Sequence, residues 1–325
     1  MNKIDNFWTQ KINIGKLSIP RFMSAPMDGI TDSPFRRLIR KYSPEELVFG
    51  EMCHVATAAH NKKSSLLKFD KIEHPICFQF SNNRPLFIEE AVNRVIDLGF
   101  DMIDMNSGCP ARQVIKSGSG SALMANIPML IKLLKRTREV IDGRVPFSIK
   151  IRAGFKEKNA LDVALAAQDT GIDMITIHPR LQTGGFTSTL DIDLVAQIKK
   201  KISVPLVFSG NINSFARAKK MYDFTGVDGF MIGRALWGAP WKILEIHTEM
   251  LGEKFEVGHR QAVQCAIEHL KLNIEHYGEA GVQKIKQQLP QYIRGVKNAA
   301  KMRNTLVRIN DREEMLHTLE HLSEE

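Results

Sequence analysis

The sequence predicts an α/β fold, a (β/α)8 TIM barrel followed by a small C-terminal all-helical domain. Three observations predict it. Eight short apolar runs, each followed by a turn and a helix-length segment, fit within about 240 residues, the usual size of such a barrel. No Gly-x-Gly-x-x-Gly follows the first run, which argues against a doubly wound open sheet. From about Trp241 onward the strand-type runs disappear and only helical periodicity remains. The expected division is a barrel over residues 1–245 and a helical domain over 246–325.

The apolar runs fall at residues 21–25, 47–52, 76–80, 102–105, 147–151, 174–178, 206–209 and 229–232. They are short and rich in Val, Ile, Phe and Met, which suits strands covered on both faces in a parallel sheet. The intervening segments carry helical spacing, as in Ile88, Ala91, Val92, Val95 and Ile96, or Leu161, Ala164, Leu165 and Gln168. In a barrel of this kind the active site lies at the C-terminal ends of the strands. The first run opens into Ala25-Pro26-Met27-Asp28-Gly29, the second ends at Glu51-Met52 and the third reaches Gln79. The fourth leads through Asn106 to Gly108-Cys109-Pro110, the fifth carries Lys150 and the sixth ends at His178. Ser209-Gly210-Asn211 closes the seventh run and Gly233-Arg234 the eighth.

Composition narrows the class. With 43% hydrophobic and 25% charged residues among 325, the chain is an ordinary globular protein. Its four cysteines, Cys53, Cys77, Cys109 and Cys265, form no Cys-x-x-Cys pair, so neither a zinc site nor a disulfide framework is expected. That usage, with no secretory core near the start and no membrane-spanning run, fits a cytoplasmic protein with no metal. The net charge is +9. Between residues 281 and 310 there is no Asp or Glu, yet Lys284, Lys286, Arg294, Lys297, Lys301, Arg303 and Arg308 all occur. A one-signed block of that length repels itself and calls for an anionic partner.

The strand ends supply the chemistry. Cys109 lies in a turn followed by the Gly/Ser-rich stretch from Lys116 to Ser121, a loop position on a rigid scaffold where reactive groups are commonly sited. Glycine turns after the last two strands let backbone N–H groups approach a phosphate, and Arg234 adds charge. Lys150 stands among apolar strand residues, where a cation is costly unless it is paired or faces a ligand. Gln79, Lys150 and His178 converge as donors on whatever carries the phosphate. Flavin mononucleotide fits such a set, because donors near the ring's N1 and O2 stabilise its anionic reduced form. The residues alone do not separate it from a sugar-phosphate substrate.

Taken in order, these motifs resemble the tRNA-dihydrouridine synthase family. The matching elements are the stretch from Ala25 to Asp32, Asn106-Ser107-Gly108-Cys109-Pro110 with the loop from Lys116 to Leu123, Lys150-Ile151-Arg152, Ile177-His178-Pro179-Arg180 and Gly233-Arg234. A weaker likeness continues into Tyr292-Ile293-Arg294-Gly295 and the stretch from Ala299 to Arg303. The resemblance implies an FMN enzyme that uses NADPH to reduce selected tRNA uridines to 5,6-dihydrouridine. It implies phosphate contacts at Ser209, Gly210, Asn211, Gly233 and Arg234, and flavin-ring contacts from Pro26, Met27, Asp28, Gln79, Lys150 and His178. It matches Cys109 to the general acid, giving a proton to uracil C5 after hydride from flavin N5 reaches C6, and Asn106 and Arg180 to positions near the target base. Lys116 is a further expected substrate contact, Lys297, Lys301 and Arg303 of the helical part are the expected tRNA-backbone contacts, and a monomer is the expected state.

Two motifs depart from the family pattern. His178-Pro179-Arg180-Leu181 stands where His-Gly-Arg-Thr or His-Ala-Arg is usual, so a fixed φ and a missing N–H are expected to change contacts near Arg180. Ser209-Gly210-Asn211 replaces Asn-Gly-Asp or Asn-Gly-Glu, which preserves backbone phosphate contacts but not a side-chain role for Asn211. Two rival readings are a flavin reductase of a free pyrimidine or another small unsaturated substrate, and a non-catalytic tRNA-binding protein. The acid-free basic block argues against the first, and Cys109, Lys150 and His178 together argue against the second.

Overall fold

A closed ring of parallel strands organises the chain. The structure, a computed structural model, describes residues 6–185, 188–294 and 298–324. After a short helix, Asn6–Thr9, comes an antiparallel hairpin of β1 (Ile12–Ile14) and β2 (Leu17–Ile19) that the sequence reading did not anticipate. The ring comprises β3 (Phe22–Ser24), β4 (Val48–Phe49), β5 (Cys53–His54), β6 (Ile76–Ser81) and β7 (Met102–Ser107). It continues with β8 (Phe147–Gly154), β9 (Met174–Leu181), β10 (Leu206–Ser209) and β11 (Gly229–Ile232). The order is β3-β11-β10-β9-β8-β7-β6-β4, with β5 also on β6. The ring closes where Ser24 N donates to Leu47 O at 3.1 Å and Phe49 N donates to Ser24 Oγ at 3.0 Å. β4 covers only two residues of the second predicted run and β5 follows just beyond its end, while β8 and β9 run further than predicted, β9 straight through Pro179.

Strand alternation sorts the side chains. Phe78, Phe80, Ile103, Ile149, Ile151, Ile175, Ile177, Phe208 and Phe230 belong to the main apolar cluster that the surrounding helices cover. Inside, Met23, Leu47, Phe49, Cys77, Met102, Met174, Val207 and Met231 form a second cluster with Ile12, Ile14 and Ile19 of the hairpin. The hairpin therefore seals the base of the barrel. Higher along the same strands the alternate positions change character, to Gln79, Asp104, Asn106, Ser148, Lys150, Thr176 and His178. An apolar floor thus carries a polar mouth.

The remaining helices pack on one side. Helix Lys242–Met250 lies beside the barrel helix Phe215–Thr225, whose first N–H groups, on Phe215 and Ala216, donate to Glu249. It runs across residue 245, and regular structure pauses at residues 251–258. Helices His259–Tyr277, Ala280–Ile285, Leu289–Tyr292, Ala299–Leu306 and Arg312–Glu324 follow. Helix His259–Tyr277 docks on helix Ser33–Tyr42 through ion pairs Arg37–Glu275 (3.0 Å) and Lys41–Glu268 (2.6 Å), and through Phe35 against His269. Exposed pairs like these add little. Burial of Val263, Ala266, Leu270, Ile285 and Leu289 supplies the stabilisation, at about 25 cal/mol per Å² of apolar surface.

His269 is fully buried, with Nδ1 2.9 Å from the Tyr292 hydroxyl, and burial pushes its pKa from 6.5 down to about 3. Between those two values the unfolded chain binds a proton that the native one refuses, so this contribution to stability is complete above 6.5 and drains away as pH falls toward about 3. Denaturant titrations at pH 7, 5 and 4 should show a stability loss on acidification that H269Q partly removes. A variant with the parental pH slope would place the acid sensitivity elsewhere.

Candidate active site

Four positive side chains and one buried carboxylate dominate the mouth of the barrel. Lys150 and Arg152 come from β8, Arg180 from β9 and Arg234 from the turn after β11. Lys150 is held at a pKa of about 8 by burial and by Arg152, with Asp104 pulling it back up. No hydrogen bond or ion pair to Lys150 is made among the described residues, although Asp104, Arg152, His178 and Cys109 all lie within electrostatic range. An ammonium so desolvated and unpartnered is poised for an anionic or acceptor ligand.

His178 faces the same space. Its Nδ1 is 2.7 Å from the Ser209 carbonyl, which only accepts, so Nδ1 carries the proton. Burial, then Lys150, push the pKa down to about 3, so the ring is neutral and Nε2 offers a lone pair. Arg180 Nη1 lies 3.4 Å from that Nε2, while its Nε donates to Ser188 O at 2.6 Å. Arg180 is buried, only 4% exposed. Next to it, Gly210 adopts φ +151°, and a Cβ there would stand 3.0 Å from Leu190 and 3.3 Å from His178 Nδ1. The following Asn211 is left-handed at φ +54° and accepts from Arg234 at 2.9 Å. The departure at Asn211 therefore orients the arginine of the last turn, a role the sequence reading did not give it. Gly233 packs beside Ala25 and Met27.

Cys109 is clamped through its backbone. Its N–H donates to Asn106 Oδ1 at 2.8 Å, as does Gly108 N at 3.1 Å. Its carbonyl accepts from Ser121 N at 3.1 Å and Ser121 Oγ at 2.9 Å. Arg152 Nε holds the Gly108 carbonyl at 2.6 Å. Gly120, at φ +60°, leaves no room for a side chain, since a Cβ would come 2.9 Å from the Cys109 carbonyl. The thiol is half-buried, unlike those of Cys53, Cys77 and Cys265, and burial raises its pKa above 9.0, with Asp28 adding to the rise.

Asn106 continues inward. Its Nδ2 donates to Gln79 Oε1 at 2.8 Å, and Gln79 Nε2 donates to Asp104 Oδ2 at 2.7 Å. The other Asp104 oxygen accepts from Ser148 Oγ. Burial raises the pKa of this fully buried carboxyl to about 6 against the pull of Ser148, Gln79 and Lys150.

Of the residues expected at the site, the structure brings together Met27, Asp28, Gln79, Asn106, Cys109, Lys150, His178, Arg180, Ser209, Gly210, Asn211, Gly233 and Arg234 around the mouth, with Pro26 beside Met27. The remaining expected contacts lie on other elements or outside the described residues. Lys116 is exposed at the end of the short helix Arg112–Lys116, and Lys301 is exposed on helix Ala299–Leu306. Arg303 donates to the Ile293 carbonyl at 2.8 Å, and Lys297 lies outside the described residues. The sequence reading missed Asp104, Arg152, Ser121 and Gly120. A signal for Asp104 was present, because a carboxylate inside the run 102–105 is as anomalous as a lysine inside 147–151.

The comparisons with known proteins agree with this geometry. The Dihydrouridine synthase (Dus) family profile matches residues 23–325. The chain is 31% identical over 314 residues to the probable tRNA-dihydrouridine synthase 1 of Synechocystis sp., spanning 94% of this chain and 88% of that one. It is 32% identical over 308 residues to tRNA-dihydrouridine synthase B of Pseudomonas aeruginosa, spanning 92% of each. Among solved structures, the old yellow enzyme homologue from Zymomonas mobilis superposes with a TM-score of 0.57 at 13% identity, over 74% of this chain and 92% of that one. Histamine dehydrogenase from Rhizobium sp. 4-9 gives a TM-score of 0.60 at 12% identity, over 82% and 51% respectively. At such identities the structural likeness speaks for the barrel alone, whereas the family match spans nearly the whole sequence: this chain belongs to the dihydrouridine synthase family.

Proposed function

We propose that this protein reduces uridines of tRNA to 5,6-dihydrouridine, with flavin mononucleotide held at the barrel mouth and NADPH as the reductant. The observation that carries the reading is the meeting, in one mouth, of the unpartnered Lys150 ammonium and the clamped Cys109 thiol. Lys150, Arg180 and Arg234 together with the turns at Gly210 and Gly233 suit a phosphorylated, electron-accepting ring system. Gln79, Lys150 and neutral His178 would line its polar edge, and Met27 its rim. When bound, the flavin supplies hydride to a uracil ring.

The protein's own part is protonic and positional. Adding hydride at C6 of uracil leaves enolate-like charge that a proton at C5 discharges. Burial keeps the Cys109 thiol protonated at neutral pH, so it is armed as an acid rather than as a nucleophile. Its turn holds the donor still through Asn106 and Ser121, and the surrounding cations favour the developing negative charge. A base can reach this mouth only if it leaves its stack, which costs least in a tRNA loop. Exposed Lys284, Lys301 and Arg308 on the helical part suit the phosphate backbone. A cleft lined by Arg234, Lys242, His259 and Arg294 lies between the last barrel turn and the helical part and adds further positive charge. A free pyrimidine would need no such surface.

Incubating the protein with unmodified tRNA and NADPH, then mapping dihydrouridine by mass spectrometry, tests the proposal. Product at a defined position is expected. A flavin-loaded protein that NADPH reduces but that leaves tRNA untouched would refute it. Cys109→Ala should keep its flavin yet lose at least about 100-fold in tRNA reduction, the usual size of a general-acid contribution; parental turnover would remove Cys109 from the mechanism. Replacing Lys301 and Arg308 by Ala should flatten the dependence of log affinity on log salt by about one unit of slope per lost phosphate contact. Binding curves that superpose on the parent's at every salt concentration would mark that face as merely solvated.

A further inference from the structure

We infer that Asp104 is a positioning residue for Cys109, acting at a distance through a one-way chain of hydrogen bonds across the Gln79 and Asn106 side-chain amides. The inference rests on the reading of Cys109 as the acid, and it extends that reading to a residue below the substrate space. The direction of the chain is forced from its outer end. Gly108 N and Cys109 N can only donate, so the Asn106 oxygen must face them and its nitrogen must face Gln79. The Gln79 oxygen then receives Asn106, which leaves the Gln79 nitrogen to donate inward. Whatever stands at position 104 must accept.

Asp104 meets that demand with one oxygen and takes the Ser148 hydroxyl on the other. The chain is wholly buried: Gln79, Asp104, Asn106 and Ser148 are 1%, 0%, 7% and 0% exposed. Water is therefore a poor substitute for a missing partner, and a single reversed amide sets two acceptors face to face. The arrangement also spends most of the Asn106 amide, leaving one N–H at most for any bound molecule. Asn106 acts chiefly on the turn that carries the thiol.

The polarity argument makes an unusual swap informative. N106D keeps an oxygen for the two turn N–H groups but turns a second oxygen toward Gln79. Gln79 can then satisfy only one of two carboxylates. Adding D104N restores every bond with the inner half reversed: Gln79 donates outward to the carboxylate at 106, the amide at 104 donates to Gln79, and Ser148 donates to that amide's oxygen. D104N alone keeps the original direction. Q79E breaks the chain in the same way between positions 79 and 104, and D104N repairs it.

The readout is alkylation of Cys109 by iodoacetamide in the purified protein, followed by peptide mass spectrometry across a range of alkaline pH. The other three cysteines are buried. The plateau rate reports how well the turn is held, and the midpoint reports the thiol pKa. N106D should raise the plateau about tenfold, the equivalent of one lost charge-assisted hydrogen bond. D104N should stay close to the parent, and the double variant D104N/N106D should return to the parental plateau. If the double variant reacts as fast as N106D, or if N106D reacts like the parent, the inference is overturned. Should N106D fail to fold, recovery of folding by D104N supports the chain. If neither folds, Q79E with and without D104N decides, and absence of repair there overturns it. Alkylation needs no flavin, NADPH or tRNA, so failed repair in a protein that makes dihydrouridine refutes only this inference. Successful repair in a protein that makes none leaves the positioning intact and refutes the proposed reaction.

Discussion

A buried negative charge surrounded by positive ones is the constraint on which the mouth of this barrel depends. Asp104 sits fully buried below Lys150, with Arg152 and His178 near that lysine. Removing a carboxylate from water is costly, and here Ser148, Gln79 and Lys150 offset the cost only in part, which is why its pKa rises to about 6. The reverse holds for Lys150, whose pKa falls to about 8, and for His178, which stays neutral. The site is thus short of negative charge by construction. That deficit, more than any single contact, makes it a place for an anionic ligand.

The apolar floor makes the deficit possible. Hairpin β1–β2 plugs the barrel beneath Met102, Met174 and Met231, so water has no route to Asp104 from below. Alternation then dictates what stands above it. One residue of slip in β7 would turn Asp104 and Asn106 outward into the helical shell and bring Ile103 and Met105 inside. Register therefore specifies the chemistry of the mouth as strictly as it specifies the packing. Residues 147–151 show the same logic, since Ile149 and Ile151 join the outer cluster while Lys150 faces the interior.

This alternation also explains what could be read from the sequence. Eight buried strands announce themselves by composition, and their C-terminal ends give the turns at Gly108, Gly210 and Gly233. The hairpin was missed because its apolar positions, Ile12, Ile14, Leu17 and Ile19, are separated by lone polar residues in strands of three. Those strands are too short for a period to show. Gln79, Lys150 and His178 were legible as strand-end polar groups, whereas the links among them were not. A hydrogen bond from Gln79 to Asp104 spans 25 residues and needs the register of β6 against β7, which no local pattern encodes. Pro179 was expected to change the contacts around Arg180. The strand runs through it to Leu181, and its carbonyl accepts from Asp191 N at 2.8 Å.

The helical part is tied to the barrel through the contacts of the first strand's turn. Asp32 caps helix Ser33–Tyr42 through Phe35 N and also receives the Tyr277 hydroxyl at 3.2 Å. Gln288 Nε2 donates to the Ile30 carbonyl at 3.2 Å, while Gly29 N is held by Glu51 at 2.7 Å. The stretch from Met27 to Asp32, which borders the mouth, is therefore fixed from the barrel side by Glu51 and from the helical side by Tyr277 and Gln288. Some 245 residues separate Asp32 from Tyr277, yet the two form one contact. A change that loosened the helical part would release the rim of the mouth as well. The helical part and the loop at the rim of the mouth are thus parts of one packed unit.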